Sequence, residues 1–321
     1  TLLAFTLLAA ARLAATPLGI GYDVFVEKDF NVSNGHIHGS SAVGGNLVLT
    51  GSKSEFASKS SSTEPGLVVA GQVDLSTDGF VFYPRAAQVG SLANGQAVVA
   101  YNQGKRLTQG NSSLEAKTIE VGAVGIDFTA AFDELALLSH SMASLAATVD
   151  LLTITTGDAQ NKQLNLGFPT ANPFNVLNLT YAEFANFKSI SVDAPGTDAG
   201  SWIINVDLTG YNGSAITQNR NGSDDGADLI LWNFFGANTL VLQNQFYGTV
   251  FAPELDFTHQ NNDLKGQVIA SSFTKLNGQV HIHRYEGGVP PPPAVPDTGS
   301  SLLLMAGALT TLVGLRARAR R

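Results

Sequence analysis

The sequence predicts a mainly β fold, a β-solenoid with one amphipathic helix packed alongside, and three observations carry that expectation. Charged residues make up only 14% of the 321, glycines number 33, and Asn, Ser and Thr are abundant. That composition favours short strands and tight turns over helices. A strand, corner, strand phrase also recurs: Ser41 to Thr50, Leu67 to Ser76, the Val-Val-Ala-Tyr run ending at Tyr101, Tyr247 to Phe257 and Leu264 to Phe273. Its spacing of roughly twenty residues is what stacked coils require, with inward Val, Leu, Ile and Phe resting on the coil below. Finally, the chain has no cysteine, so no disulfide holds it and a large buried core must do so. A β-sandwich gives similar alternation and is the alternative; the repeated corner, in place of a hairpin turn, favours the solenoid.

Residues 1–18 read as a signal peptide with a truncated start. Leu2 to Ala15 form an apolar run, followed by small residues and Pro17, with cleavage expected near Ala14 or Ala15. The body, 21–286, is acidic. Of 18 basic and 26 acidic residues, Arg12, the four terminal arginines and Asp297 belong to the ends, leaving 13 against 25 and a formal charge of −12. Nucleic acid is thereby excluded as a partner.

Within the body, Phe132, Leu135, Leu138, Met142 and Leu145 recur at helical steps and predict an amphipathic helix from Thr129 to Thr148, with Asp133 and Glu134 in its first turn. Its apolar stripe is expected to pack along the side of the solenoid. The stretch from about 150 to 200, interrupted by Pro169 and Pro173, reads as a polar span. Residues 287–294, with four prolines from Pro290 to Pro293, predict a stiff linker.

Two clusters are candidate metal ligands. His36 and His38, and again His281 and His283, lie two apart, which puts both imidazoles of each pair on one strand face. Neutral imidazole suits zinc, copper or nickel. If the first and last coils adjoin, the four converge; otherwise each pair is a solvated strand face, the simpler reading. The loop around Asp224, Asp225 and Asp228 offers hard oxygens for calcium without the spacing of an EF-hand, and solvated turn residues explain it equally well. No cofactor is therefore expected, with calcium or a transition metal as the alternative.

Enzymatic signals are weak. There is no Gly-X-Ser-X-Gly phrase, and Lys105 and Arg106 lie near no acid pair. Threonines are scattered along the chain and not ranked coil after coil, which speaks against an ice-binding array. Asn-X-Ser/Thr triplets at Asn31, Asn111, Asn178, Asn212 and Asn221 indicate a polar, turn-rich surface. Tyr83, Tyr101 and Tyr211 are candidate stacking residues for sugars, or corner packing.

The C-terminal segment, 295–321, resembles the sorting signals of the PEP-CTERM class in its Val-Pro-Asp variant. Val295, Pro296, Asp297, Thr298, Gly299 and Ser300 form the motif, 302–315 a short apolar run, and Arg316, Arg318, Arg320 and Arg321 a terminal basic cluster. The run is shorter than the roughly twenty residues that span a relaxed bilayer. The resemblance implies an exosortase as partner, membrane contact through the tail, and export to the cell envelope, surface or extracellular matrix of a Gram-negative bacterium; an ordinary membrane anchor is the plainer reading. In the body, Tyr22 to Phe30, Gly39, Ala42 to Asn46, Leu229 to Phe234, Gly248 to Pro253 and Gly266 to Ala270 resemble the choice-of-anchor A domain of bacterial surface proteins. That resemblance implies an ice-binding-like, right-handed β-solenoid whose first and last coils are neighbours. It also implies a non-enzymatic adhesive role toward exopolysaccharide, other glycans or surface proteins. A polysaccharide-cleaving β-helix enzyme and an ice-binding-type protein are the alternatives.

Overall fold

The computed structural model describes the strand Thr16–Pro17 and residues 20–291, apart from 51–53, 60–64, 76–80, 83–86, 94–97, 101–106, 110–118, 159–160, 169–173, 197–198 and 223. Most of the expected signal peptide and the whole expected sorting tail, from Val295 to Arg321, lie outside the described residues. Residues 1–291 form one unit and 292–321 another.

Unit 1 is mainly β and solenoid-like. Among the described residues, all strand pairings are parallel except two, Thr16–Pro17 with Gly288–Val289 and Thr155–Thr156 with Gln163–Leu166. The parallel stacking rules out the sandwich alternative, whose sheets are antiparallel. A first face stacks Phe174–Thr180, Ser201–Asp207, Ile230–Phe235, 249–252, 268–270, Val24–Val26, Ser41–Val43, 67–69, 87–89 and Ile119–Val121 in that spatial order. The order differs from the chain's own. The chain starts in the middle, climbs to one end, crosses over, and returns from the other end until its last coil settles on its first. At this seam Phe25 aligns with Ile269, Phe30 with Phe273 and Ile37 with Val280. Neighbouring first and last coils are thus a property of the fold.

The seam is held by polar bonds as well as pairing. Arg284 donates twice to the fully buried Asp23, Nη2 to Oδ2 at 2.7 Å and Nε to Oδ1 at 3.1 Å, and Ser40 N donates to the same carboxylate at 2.9 Å. Gly39 has no room for a side chain, because a Cβ there would lie 2.0 Å from Asp23 Oδ2. Gln267 Nε2 donates to Tyr22 O at 2.6 Å across the same junction. Corner glycines serve close approach in the same way: a Cβ at Gly266 would sit 1.9 Å from Gly248 O.

The helix, α1, runs Phe128–Ala143, one residue earlier at its start and five earlier at its end than the periodicity predicts. Asp127 caps it, accepting from Ala130 N at 3.0 Å, which moves Asp133 and Glu134 beyond the first turn. Sixteen residues at about 1.5 Å span about five rungs at about 4.8 Å, so α1 bridges the seam from one half of the solenoid to the other. Phe128, Phe132, Leu135, Leu138 and Met142 pack on the outward residues of the first face: Phe25, Ala42, Val68, Ile203, Leu231, Phe251 and Ile269. The strands beneath α1 are therefore buried on both sides. Phe25 stacks between Phe128 and Phe132 at 5.4 and 5.2 Å.

An asparagine ladder stops the helix. Asn178, Asn205 and Asn233 align on consecutive rungs and face α1. Asn233 Nδ2 donates to Ser139 O (3.0 Å), Asn205 Nδ2 to Met142 O (2.7 Å) and Asn178 Nδ2 to Leu145 O (2.9 Å), while each amide also bonds its neighbour. The match is geometric. Three helical residues rise about 4.5 Å, close to one rung, so each asparagine meets a carbonyl three residues from the last.

The stretch read from sequence as a polar span, 150–200, instead holds strands Gln163–Leu166, Phe174–Thr180 and Ser189–Val192 and the short helix Tyr181–Asn186. Its Asn178 belongs to the ladder, and Leu164, Leu166, Leu177, Leu179 and Val192 belong to the core. Trp202 and Trp232 fill that core, fully buried, with indole N–H groups donating to Gly167 O at 2.6 Å and Tyr247 O at 2.9 Å.

Candidate functional site

A second face, free of helix, stacks Thr239–Leu242, 256–260, 272–276, 30–33, Leu47–Leu49 and 73–75. Alternation sorts its side chains. Leu240, Phe257, Phe273, Phe30, Leu47 and Val73 point inward, with Phe273 stacked against Phe257 at 5.0 Å and Phe30 at 4.9 Å. Those rings fix the rung spacing beneath the surface. Between them, one outward column reads Val241, Thr258, Thr274, Asn31, Val48, Asp74, all partly exposed. Beside it runs Thr239, Asp256, Ser272, where Ser272 Oγ donates to Asp256 Oδ1 at 2.6 Å. Asn46 N bonds Asp29 Oδ1 and Gln72 N bonds Asn46 Oδ1, which carries the polar row onto further coils.

The result is a surface of small hydroxyl, amide and carboxylate groups flanked and interrupted by Val241 and Val48, its positions repeating at about 4.8 Å across the strands and at about 6.6 Å along them. Sequence reading treats the threonines as scattered. Register brings Thr258 and Thr274 side by side between Val241 and Asn31.

One corner of this face has an unusual interior. His259 and Lys275 are adjacent, inward and fully buried. Lys275 Nζ donates to Asn262 O at 2.9 Å and to Asn277 O, and His259 Nε2 donates to Asn244 O at 2.9 Å while its Nδ1 is unpartnered. Burial pushes Lys275 down to about 7, and burial with the Lys275 charge pushes His259 down to about 3. Asn261, Asn262 and Asn277, at φ 57, 52 and 62, turn the corner above them.

The four candidate histidines do not meet as a set. Ile37 aligns with Val280, so His38 faces His281, whereas His36 faces Gln279 and His283 lies past the strand end. His38 and His281 are edge to face at 4.5 Å. His36 Nδ1 lies 3.1 Å from Glu55 Oε2, and His281 Nε2 3.1 Å from Asp263 Oδ2. Burial, with the His281 and Lys59 charges, lowers His38 to about 4; burial likewise lowers His283.

The three acids fall on a short 3-10 turn, Asp224–Leu229. Asp224 is engaged by Lys265 Nζ at 2.6 and 2.7 Å. Burial and nearby Glu286 raise Asp228, whose Oδ1 is buried without a partner. Among the described residues no group of three or more His, Asp or Glu side chains is disposed to hold a metal ion.

A cleft of about 230 Å³ lined by Tyr181, Phe187, Lys188, Ile216, Thr217 and Gln218, with two alanines, brings together no pair of acids. Tyr211 is corner packing: its hydroxyl donates to Ser214 O at 2.7 Å and accepts from Val241 N at 3.1 Å. Tyr83 and Tyr101 lie outside the described residues. No described helix is long and apolar enough to cross a membrane.

Among known proteins, the model of a family described as "Putative Ice-binding-like adhesive domain" matches residues 17–282. A solved structure, that of an ice binding protein from an Antarctic biological consortium, is similar at 12% identity and a TM-score of 0.37, covering 83% of this chain and 91% of that one. No curated protein matches the chain.

Proposed function

The chain belongs to the ice-binding-like adhesive domain family, and from that premise we propose that it is an exported bacterial surface or matrix protein that adheres through its second face. The ligand class is a glycan chain, such as the exopolysaccharide of the producing cell. The observation that carries this is the pair of outward columns, Val241 to Asp74 and Thr239 to Ser272. A periodic row in which hydroxyl, amide and carboxylate groups stand beside two valines matches a sugar chain, which repeats hydroxyls and apolar ring faces, and binding spread over many small contacts needs no deep pocket.

The finer reading joins the choice-of-anchor A resemblance, with its right-handed coil, to a tail processed by an exosortase. The resemblance motifs find support in the geometry. Within Leu229 to Phe234, Leu231 packs on α1, Trp232 fills the core and Asn233 bonds the helix. Gly39 admits the Asp23 carboxylate.

The test is binding of the purified chain to extracted exopolysaccharide, alongside Thr258→Tyr and Thr274→Tyr, which change only outward side chains. Saturable binding that falls at least tenfold in both variants supports the proposal. Unchanged binding in the variants moves adhesion to another face, and shortening of the polymer replaces the proposal with a polysaccharide-cleaving enzyme. The aligned Thr258 and Thr274 favour one second reading, binding to ice; inhibition of ice recrystallisation that is lost in the same variants, without glycan binding, establishes it.

A further inference from the structure

The seam carries two imidazoles that the adhesive face does not use. His38 comes from the first coil and His281 from the last, and their rings meet at 4.5 Å. His38 is 5% exposed and packs edge to face on the His281 ring. His281 is positioned by a carboxylate. Its Nε2–H donates to Asp263 Oδ2 at 3.1 Å, which leaves Nδ1 with a free lone pair. A carboxylate behind an imidazole is the usual outer partner of a metal-bound histidine, orienting the ring and raising its basicity.

We propose that His38 and His281 form a two-imidazole site for a divalent transition-metal ion, clamping the first coil to the last. Water completes the coordination, since no third His, Asp or Glu among the described residues joins the pair. Two nitrogens on one tetrahedral ion lie roughly 3.4 Å apart at metal–nitrogen distances of about 2.1 Å, so the rings, 4.5 Å between centroids here, must turn and draw slightly apart to share it. The facing charges are those of His36, which is bonded to Glu55, together with His283, Asp263 and Lys59. His38 is neutral above about pH 4 and so is ready to ligate at neutral pH. Zinc, nickel and copper suit this donor set, and calcium does not.

The experiment uses the full chain, stripped with EDTA, dialysed and titrated calorimetrically with zinc chloride and nickel chloride, with melting followed in parallel. One equivalent is expected to bind and to raise the melting temperature. His281→Gln abolishes both effects, Asp263→Asn weakens binding about tenfold, and His140→Gln, which alters an exposed histidine on α1, changes neither. Because His38 is buried, its replacement is not relied on. Instead the imidazole nitrogens of the unmodified protein are followed by NMR, where the first zinc added should shift the His38 and His281 signals together. Absence of saturable binding up to about 1 mM metal, binding unaffected by His281→Gln, or zinc shifts confined to other histidines overturns the proposal.

Discussion

At the scale of single residues, the buried polar groups decide most. Asn233 receives the Ser139 hydroxyl at 2.7 Å and donates to both Ser139 O and Asn205 Oδ1. Asn233→Ala strands those partners in a dry interface, and a loss of about 2 kcal/mol or more is expected from denaturant midpoints. The buried cations set the pH dependence. Lys275 falls to about 7 in the folded state from 10.5, and His38 and His259 fall to about 4 and 3 from 6.5. A depressed folded value means the unfolded chain takes up the proton first, so the stability is present above the unfolded value and is lost as pH drops toward the folded one. Urea midpoints should therefore decline from pH 10 to 7 through Lys275 and again from pH 6.5 toward 4 through the histidines. His259→Gln should flatten the second decline; an unchanged slope shows that His259 is not its source. None of this was legible beforehand. The ladder asparagines are 27 and 28 residues apart, and Asn178 sits in a triplet that reads as surface. The inward places of His259 and Lys275 follow from strand register, which the alternation around them does not reveal.

At the scale of elements, the helix, the glycine corners and the linked strand phrases were readable because each obeys a local period. Apolar spacing located α1, and its ends are set by hydrogen bonds that spacing does not report, the local Asp127 cap at one end and the asparagine ladder at the other. Leu135 faces the sheet while Leu137 is 45% exposed. Leu135→Ala should cost about 2–5 kcal/mol and Leu137→Ala close to nothing, measured side by side. Corners separate in the same way. Gly266→Ala drives a methyl into the Gly248 carbonyl and should prevent folding, whereas Gly125, with nothing within 4 Å, should accept alanine freely. The second face was hidden for a different reason. Thr258 and Thr274 become neighbours only after Phe257 aligns with Phe273, and no local pattern states that pairing.

At the scale of the whole molecule, the first and last described coils meet in the middle of the stack. The closing contacts join residues more than 240 positions apart, such as Arg284 with Asp23 and Gln267 with Tyr22. Folding should consequently be slow, since loops of that length close before the seam can reward them. Asp23→Asn removes the charge that Arg284 faces, and a loss of about 3–5 kcal/mol is expected with unfolding still a single transition. Two transitions would show that the halves on either side of the seam fold separately. The arrangement also bears on mechanical load. Tension drawn through the residues after Val289 first meets strand Gly288–Val289, paired with Thr16–Pro17 and tied through Tyr285 to the 201–207 rung, and only then the last coil. A coil at the tip of a solenoid has one neighbour and peels away rung by rung. The last coil here is gripped from both sides, by 249–260 and by 24–37, so a pull must break two ladders at once before that coil is released.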